Sequence, residues 1–372
     1  MPDDHLRYLP DGLPDVLLDA DERTLLQELG GPSLIRFPGR DEPPRAVSVL
    51  LHGDEPTGFQ ALLHVLRSRP ELPYDLYVLI GNVRAALEPP GYAVRYLDDQ
   101  EDLNRIWSPT SRTTPLREAA ADALVRLQQA QISSLVDLHN TSGDNPFYAI
   151  ITRNRPGTIN LAALFTTRIV HWELPNGALV EALQDDCTAV AVECGLPGQR
   201  ATWDLAVDGL RRYLFGPPVD TQETGADHDL LSGLHRVTVP PEVTLRFGGE
   251  LHDDLDLVIP IDADRHNFAE VAPGHVLGQV HPDAPLPVEV LAPDGRPATE
   301  QLLRVDDDRL VLTRAATPVM MTRTVEAVRK DCLVYLAVDP TRPPEASTSS
   351  MSMPANRSSS VRSNGTSVRR ST

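Results

Sequence analysis

Lysine is almost absent from this sequence, and basic residues as a whole are outnumbered. Lys330 is the only lysine among 34 basic residues, whereas Asp and Glu together number 53, so the formal net charge of the 372-residue chain is −19. A surface this acidic repels phosphate backbones and anionic lipid headgroups. The composition therefore argues against a nucleic-acid-binding or membrane-binding protein, and we predict neither kind of partner.

Cysteine and long apolar runs are also scarce. The three cysteines, Cys187, Cys194 and Cys332, cannot all form disulfides, which favours a reducing compartment. The first twelve residues carry neither the basic stretch nor the apolar stretch of a secretion signal. No apolar run approaches the roughly 18 residues that a membrane span needs. We therefore expect a soluble, cytoplasmic protein.

The rest of the composition is that of a globular protein, with 41% hydrophobic and 23% charged residues. Strand-like and helix-like segments alternate up to residue 215, a pattern typical of an α/β domain, which we predict over residues 1–222. The predicted strands are 46–51, 76–82, 133–140, 147–152 and 188–195. The predicted helices are 21–29, 58–68, 115–130 and 203–215.

The pattern changes after the last of these helices. Residues 216–229 are rich in proline and acidic residues, which predicts a linker. Short β-type runs separated by Pro, Gly and Asp follow, and they predict a smaller all-β domain over residues 230–340. Residues 341–372 contain almost no bulky apolar side chains, so we predict a disordered tail.

The most informative motif is HGDEP, which begins at His52 directly after a predicted buried strand. His52 and Glu55 offer an imidazole nitrogen and a carboxylate oxygen, a pair that suits Zn²⁺. Catalytic zinc usually takes three protein ligands, and His139, at the end of another predicted strand, is the candidate third ligand. The alternative is a loop-capping pair with an unrelated strand-end histidine. The three residues together favour a metal site.

A second carboxylate lies at the end of the last predicted strand of the α/β series. Glu193, in the run AVAVECG, has no evident structural task in an otherwise apolar segment. Near a zinc ion it would serve as a general base that takes a proton from water and passes it to a leaving amine. The alternative is an ion pair with an arginine at the sheet edge.

The segment between residues 95 and 107 supplies positive charge. Arg105 can bind a carboxylate with two hydrogen bonds, and Asn104 offers an amide that could orient a substrate. Arg95, a little upstream, could polarise a carbonyl group and stabilise a developing oxyanion. The alternative is a solvated loop of mixed charge, which is the commonest structure of such runs, and the segment taken alone carries little weight.

Four short motifs, in this order, resemble those of the succinylglutamate desuccinylase and aspartoacylase family. The motifs are HGDEPTG, DLNR, DLHNTSG and VECG, and the resemblance covers residues 46 to about 215. It continues weakly into the C-terminal part through NFAEVAPGHVLG (267–278). The family is related to the zinc carboxypeptidases. The resemblance therefore implies a mixed sheet flanked by helices, followed by a smaller β domain.

The resemblance also implies roles for the metal-site residues. His52, Glu55 and His139 match the zinc ligands, with one zinc ion per chain, and Glu193 matches the catalytic base and acid. The implied reaction is hydrolysis of an N-acyl amino acid, in which zinc and Glu193 together activate a water molecule.

Substrate-binding roles follow from the same comparison. Arg105 and Asn104 match residues that hold the carboxylate end of the substrate, and Arg95 matches the arginine that polarises the carbonyl group. Asn140 lies in the run DLHNT, which is closest to the aspartoacylase side of the family, and we add it as a candidate substrate-binding residue.

Two family features are missing. The stretch EALQDDCTAV (181–190) lacks the arginine that aspartoacylases carry before the catalytic glutamate, and TRTVEAVRKD (322–331) lacks their substrate-contacting tyrosine. Both absences concern the second carboxylate of the amino-acid half, so N-acetylaspartate is not assigned as the substrate. One hypothesis is that Asp185 and Asp186 favour a neutral or cationic group instead.

We therefore predict a zinc-dependent amidohydrolase acting on a small N-acyl amino acid. The nearest alternative is a metallocarboxypeptidase that uses the same centre on short peptides. A non-catalytic binding module that has kept the fold is a third reading. The sequence leaves the acyl group and the amine undetermined, and it leaves a homo-oligomer open.

Overall fold

The computed structural model of the protein describes residues 3–219, 227–282 and 285–339. The predicted disordered tail and the middle of the predicted linker lie outside these residues. No described helix has both the length and the apolar character that crossing a bilayer requires. The helices are α1 (Asp15–Leu18), α2 (Glu22–Leu29), α3 (Thr57–Leu66), α4 (Val83–Leu87), α5 (Pro115–Gln129), α6 (Pro156–Ala163), α7 (Leu179–Leu183), α8 (Arg200–Phe215), α9 (Thr299–Leu302) and α10 (Val325–Lys330).

The strands fall into one large sheet and two smaller ones. Those of the large sheet are β1 (Arg7–Leu9), β2 (Ser33–Phe37), β3 (Asp41–Val49), β4 (Tyr74–Ile80), β5 (Ser134–His139), β6 (Tyr148–Ile151), β7 (Arg168–His171), β8 (Thr188–Glu193) and β9 (Asp229–Leu231). Those of the smaller sheets are β10 (Leu234–Thr238), β11 (Leu245–Phe247), β12 (Leu257–Ile259), β13 (Val276–Val280), β14 (Glu289–Leu291), β15 (Leu303–Asp306), β16 (Arg309–Leu312), β17 (Thr317–Val319) and β18 (Val334–Ala337).

The large sheet is mixed, as predicted. Its nine strands have the order β1-β2-β4-β3-β5-β8-β6-β7-β9. The central strands β4, β3, β5 and β8 are parallel to one another, and antiparallel pairs occur between β2 and β4 and between β8 and β6. The central strands are apolar on both faces, which is typical of parallel strands covered on both sides. This architecture confirms the predicted α/β fold class.

Each face of the large sheet has its own hydrophobic core. Apolar residues of α2, α3, α6 and α8 cover one face, with Phe59 and Leu210 among the fully buried side chains. Helices α5 and α7 cover the other face together with strands of the C-terminal part. On that second face the ring of Trp172 contacts the ring of Tyr335 at a centroid distance of 4.5 Å. The C-terminal part thus packs directly on the large sheet.

The C-terminal part is rich in strands, as predicted, and also contains the short helices α9 and α10. One sheet has the order β14-β10-β18-β17 and the other β11-β12-β13-β16-β15. A third core, which includes Val237, Leu257 and Leu336, is formed by residues of both sheets. Strand β9 pairs with β7 and so belongs to the large sheet although it follows the predicted linker. The predicted domain limits of 1–222 and 230–340 stay a prediction.

A close contact between α3 and β5 generates a test of this packing. A Cβ atom at Gly58 would lie 2.4 Å from the Cβ atom of Leu138, the residue before His139. We expect Gly58→Ala to lower the free energy of unfolding by about 1–2 kcal/mol, since overpacking outweighs the helix propensity of alanine. Denaturant titration measures this change. Arg211→Ala, at an exposed position of α8, is the control and should change stability by less than about 0.5 kcal/mol. Equal stability of the two variants would contradict the prediction.

Candidate metal centre and active site

Three neighbouring strands bring the predicted site residues to one edge of the large sheet. Strands β3, β5 and β8 are parallel, so their carboxyl ends meet at the edge where ligands typically bind in α/β sheets. His139 ends β5, and its partner in the register is Glu193, which ends β8. The loop with His52 and Glu55 follows β3. The sheet therefore places all four residues together.

A sharp turn separates β3 from this loop. Leu50 has a φ angle of 55°, in the left-handed region that bulky side chains rarely adopt. Its side chain is fully buried, and its carbonyl oxygen accepts a hydrogen bond from the backbone N–H of Asn82 at 2.6 Å. Such conformations persist where the surroundings hold them, and they are common at functional sites. The turn ends the strand and starts the loop that carries His52.

His52, Glu55 and His139 form a compact, buried cluster. His52 Nδ1 lies 2.8 Å from Glu55 Oε1, and His139 Nδ1 lies 2.7 Å from Glu55 Oε2. The candidate ligand atoms of the three residues all lie within 4.8 Å of one another. The structure therefore brings together the three residues that the sequence predicts as metal ligands.

The far nitrogen of each imidazole faces another carboxylate. His52 Nε2 lies 3.0 Å from Asp102 Oδ1, and His139 Nε2 lies 2.8 Å from Asp137 Oδ2. A carboxylate in this position accepts the Nε2–H of a neutral imidazole, which leaves the Nδ1 lone pair for a cation. Both Nδ1 atoms face Glu55, so both lone pairs can point to the same place.

The cluster requires positive charge. Burial alone would lower the pKa of His139, but Asp137 and Glu55 raise it well above its usual value. Burial alone would raise the pKa of Glu55, but His52 and His139 lower it. A divalent cation that touches both Nδ1 atoms and Glu55 would provide this charge. Two imidazole nitrogens and a carboxylate are also a common ligand set for catalytic zinc, so the residues fit that ion.

Glu193 is buried beside this cluster but is not part of it. Its Oε2 atom is buried and has no hydrogen-bond partner among the described residues. Burial, with a contribution from Glu55, raises the pKa of Glu193 to about 7, although His139 opposes the shift. A carboxylate with such a pKa can both accept and release a proton near neutral pH. The geometry therefore suits the predicted base, and the role itself stays a prediction.

Arg95 reaches the same site from the loop before DLNR. Its Nε donates a hydrogen bond to Asp102 Oδ2 at 2.9 Å, and its Nη1 lies 3.5 Å from Glu55 Oε1. Burial alone would lower the pKa of Arg95, but Asp102 and Glu55 raise it, so the guanidinium stays charged. A fixed cation next to the candidate metal ligands is consistent with a role in polarising a carbonyl group. That role is not tested by the structure.

The two asparagines have protein partners for their side-chain amides. Asn104 Oδ1 accepts a hydrogen bond from the Leu179 N–H at 3.0 Å, and Asn104 Nδ2 lies 3.3 Å from His139 Nε2. Asn140 Oδ1 accepts from the Thr57 N–H, and its Nδ2 donates to Thr57 Oγ1 and to the Gly195 carbonyl oxygen. Both residues thus connect the loops of the site. Their predicted contacts with substrate stay predictions.

Arg105 is paired with a residue of the C-terminal part. Its Nη2 donates to Asp331 Oδ2 at 3.1 Å, and Arg236 donates to the other oxygen of Asp331 at 3.1 Å. The Arg105 side chain is nevertheless 25% exposed and lines the cavity of the site. Asp331 therefore holds the guanidinium at the cavity wall, where it can meet a substrate carboxylate.

A cavity of about 400 Å³ surrounds these groups. The cluster residues, Glu193, Arg95 and Arg105 line it, and the segment 320–332 of the C-terminal part contributes another wall. That wall includes the only lysine, Lys330, which lies 3.0 Å from Glu326 and 4.9 Å from the centre of the Tyr96 ring. The site is thus completed by the C-terminal part and not by the large sheet alone.

The aspartates 185 and 186 are not at this cavity. Asp185 accepts hydrogen bonds from Arg153, and Asp186 accepts one from Gln128, all at exposed positions. Neither aspartate is among the residues that line the cavity. The hypothesis that these two residues select a neutral or cationic substrate is therefore wrong.

Some residues of the site were not predicted. Asp137 lies two residues before His139 on the same strand, and strand periodicity places both side chains on one face, so this partner could have been found in the sequence. Asp102 is the first residue of the DLNR motif, so it could also have been identified from the sequence as a site residue. By contrast, no local pattern relates Asp331 to Arg105, which lies more than 200 residues away.

Comparisons with known proteins support the fold. No family model matches the sequence, and no curated protein matches it. The crystal structure of a succinylglutamate desuccinylase/aspartoacylase from Rhodobacter sphaeroides has a TM-score of 0.51 and 14% identity, covering 82% of this chain and 88% of that one. The product-bound ectoine utilization protein EutE (DoeB) from Ruegeria pomeroyi has a TM-score of 0.48 and 17% identity, with coverages of 77% and 82%. Murine aminoacylase 3 has a TM-score of 0.46 and 17% identity, covering 80% of this chain and 96% of that one.

The first of these structures shows the fold of this chain. The protein has a mixed α/β fold with a buried His-Glu-His cluster at the carboxyl edge of its sheet. The structure from Rhodobacter sphaeroides shares this fold, so the fold implied by the four motifs is confirmed.

The carboxylate behind His139 generates a prediction about metal affinity. We expect Asp137→Asn to weaken zinc binding by about 10–100-fold, because the imidazole loses the partner that orients it and raises its basicity. Competition with a chromophoric chelator measures the affinity. Asp75→Asn changes another buried aspartate, which pairs with Arg36 on a different strand, and it should leave zinc affinity unchanged. Equal zinc affinity of the Asp137→Asn variant and wild type would contradict the prediction.

Proposed function

We propose that the protein is a zinc-dependent amidohydrolase that removes the acyl group from a small N-acyl amino acid. The observation that carries the proposal is the convergence of two imidazole Nδ1 atoms and a carboxylate beside the buried Glu193. The fold supports it as well, since the similar structure from Rhodobacter sphaeroides is described as a succinylglutamate desuccinylase/aspartoacylase. The cavity of about 400 Å³ suits a small substrate.

The metal would be held by His52, Glu55 and His139. When bound there, zinc supplies Lewis acidity toward a water molecule and a carbonyl oxygen. The chain provides the proton transfers. Glu193 accepts a proton from the attacking water at its unpartnered Oε2 and then gives it to the nitrogen of the departing amine. A C–O bond forms and the C–N bond breaks, so the products are a carboxylate and a free amino acid.

The arginines would orient the substrate and stabilise charge. The guanidinium of Arg95, fixed by Asp102 next to Glu55, stabilises the negative charge that develops on the carbonyl oxygen. Arg105 binds the carboxylate of the amino-acid half with the donors that Asp331 leaves free. Both arginines line the same cavity as Glu193, so all three can act on one bound substrate.

Replacing the proposed base tests its role. We expect Glu193→Gln to lower kcat by about 10²–10⁴-fold, because the amide cannot accept the proton of the water. Zinc content, measured by elemental analysis, should stay at one ion per chain. Glu118→Gln, at an exposed position of α5, serves as the matched control with unchanged kcat. A fully active Glu193→Gln enzyme would exclude this role.

Metal removal tests the dependence on zinc. We expect a strong chelator to abolish hydrolysis and to lower the melting temperature, since an ion that binds only the folded state stabilises it. Added Zn²⁺ should restore both quantities. Unchanged activity after complete removal of metal, as judged by elemental analysis, would contradict a metal-dependent reaction.

A substrate screen distinguishes the alternatives. Zinc-loaded protein is assayed with a panel of N-acyl amino acids that vary in acyl group and with a panel of dipeptides. Turnover of the N-acyl amino acids supports the deacylase. Turnover of dipeptides alone would instead indicate a metallocarboxypeptidase, and no turnover of either panel would indicate a non-catalytic binding module.

A further inference from the structure

Part of the cavity wall beside Glu193 is apolar. Five buried side chains form this part, which we call the apolar subsite: Ile150, Trp172, Ala178, Val180 and Ala191. Ala191 lies two residues before Glu193 on β8 and faces the same side of the sheet, and Ile150 is its partner in the neighbouring strand β6. The floor of the subsite is therefore contiguous with the proposed base.

The other wall of the subsite adjoins the turn that carries Arg105. The Leu179 N–H, between Ala178 and Val180, donates to Asn104 Oδ1 at 3.0 Å. The Trp107 N–H donates to the carbonyl oxygen of Gly177 at 3.1 Å. The segment that forms this wall is thus fixed to the DLNR turn. The subsite therefore adjoins Glu193 on one side and the turn that carries Arg105 on the other.

The charges around the cavity disfavour a second carboxylate on the substrate. Among the described residues that line the cavity, six are acidic and only three, Arg95, Arg105 and Lys330, are arginine or lysine. Arg95 is paired with Glu55 and Lys330 with Glu326, and Arg105, paired with Asp331, is already assigned to the first carboxylate of the substrate. The subsite itself contains no charged side chain, and Thr152 and Asn176, which also line the cavity, are uncharged. A carboxylate placed in the subsite would be desolvated without a partner, at a large cost in binding.

We propose that the apolar subsite binds the side chain of the amino-acid half of the substrate, and that this side chain is uncharged and mainly apolar. The inference rests on the proposed deacylase function. The nitrogen that receives the proton of Glu193 and the carboxylate that meets Arg105 both belong to the amino-acid half. The α-substituent between them therefore faces the apolar subsite.

Three substrates of related shape test whether the bound side chain is uncharged and apolar. The zinc-loaded enzyme should hydrolyse N-acetyl-leucine with a kcat/KM about 100-fold above that for N-acetyl-aspartate, the scale expected when a pocket offers a charged group no partner. N-acetyl-asparagine, which has the size of the aspartate derivative without its charge, should fall between them. A kcat/KM for N-acetyl-aspartate equal to or above that for N-acetyl-leucine would overturn the proposal.

Substitutions in the apolar subsite test whether its residues determine the substrate preference. Ala178→Leu should fill the pocket and lower kcat/KM for N-acetyl-leucine by about tenfold or more while N-acetyl-alanine is affected much less. Val180→Ala removes volume and should shift preference toward the larger N-acetyl-phenylalanine. This second variant keeps the test decisive if Ala178→Leu fails to fold. Val125→Ala, at an exposed position of α5, is the control. Unchanged ratios between these substrates in both subsite variants would exclude the five residues as the binding site.

Product binding separates failure of this inference from failure of the proposed function. Free leucine should raise the melting temperature of the zinc-loaded protein more than free aspartate at equal concentration. Absence of turnover with N-acyl amino acids of every acyl group tested would contradict the proposed function, and the leucine and aspartate shifts would still decide the subsite. Stronger stabilisation by aspartate would overturn the subsite even in an active deacylase.

Discussion

Parallel pairing of β3, β5 and β8 is the constraint on which the candidate site depends. Their common direction brings three carboxyl ends to one sheet edge, and the register sets His139 beside Glu193. The loop after β3 then needs only the turn at Leu50 to bring Glu55 within 2.7 Å of His139. Apolar cores on both faces hold the strands, so His139 and Glu193 are positioned by the backbone hydrogen bonds of the sheet.

Electrostatics divide the site into two layers. Glu55 lies at the front of the two histidines, while Asp102 and Asp137 accept hydrogen bonds behind them. The rear carboxylates fix both rings in the same tautomer and make the forward nitrogens good ligands for a cation. Glu193 is buried, and its Oε2 atom has no hydrogen-bond partner among the described residues. Burial therefore raises the pKa of Glu193, which suits this carboxylate to proton transfer. Similar carboxylates thus gain different chemistry from their surroundings.

The C-terminal part forms one wall of the cavity. Its segment 322–331, where the family tyrosine is missing from the sequence, forms α10 and one wall of the cavity. Asp331 at the end of this helix pairs with Arg105 across the cavity wall. Of the stretch 181–190, where the second arginine is missing, Glu181 lines the cavity, and the apolar residues Val180 and Ala191 that flank the stretch line it as well. Both departures from the family motifs therefore lie at the cavity wall and leave the cluster of His52, Glu55 and His139 intact.

Local patterns in the sequence determined the long central elements and the residues that carry chemistry. Strands β3, β5 and β8 and helices α5 and α8 follow from apolar runs and helical periodicity, because such segments are buried in any fold they join. Short elements such as β1, β7 and β13 were not predicted, since three to five residues carry too little pattern. The pairing of Arg105 with Asp331, the exclusion of Asp185 from the cavity and the apolar subsite were decided by tertiary structure alone. The pairing with Asp331 depends on how the C-terminal part packs on the large sheet, and the other two depend on contacts within the α/β part. Contacts between residues so distant in the chain leave no local pattern.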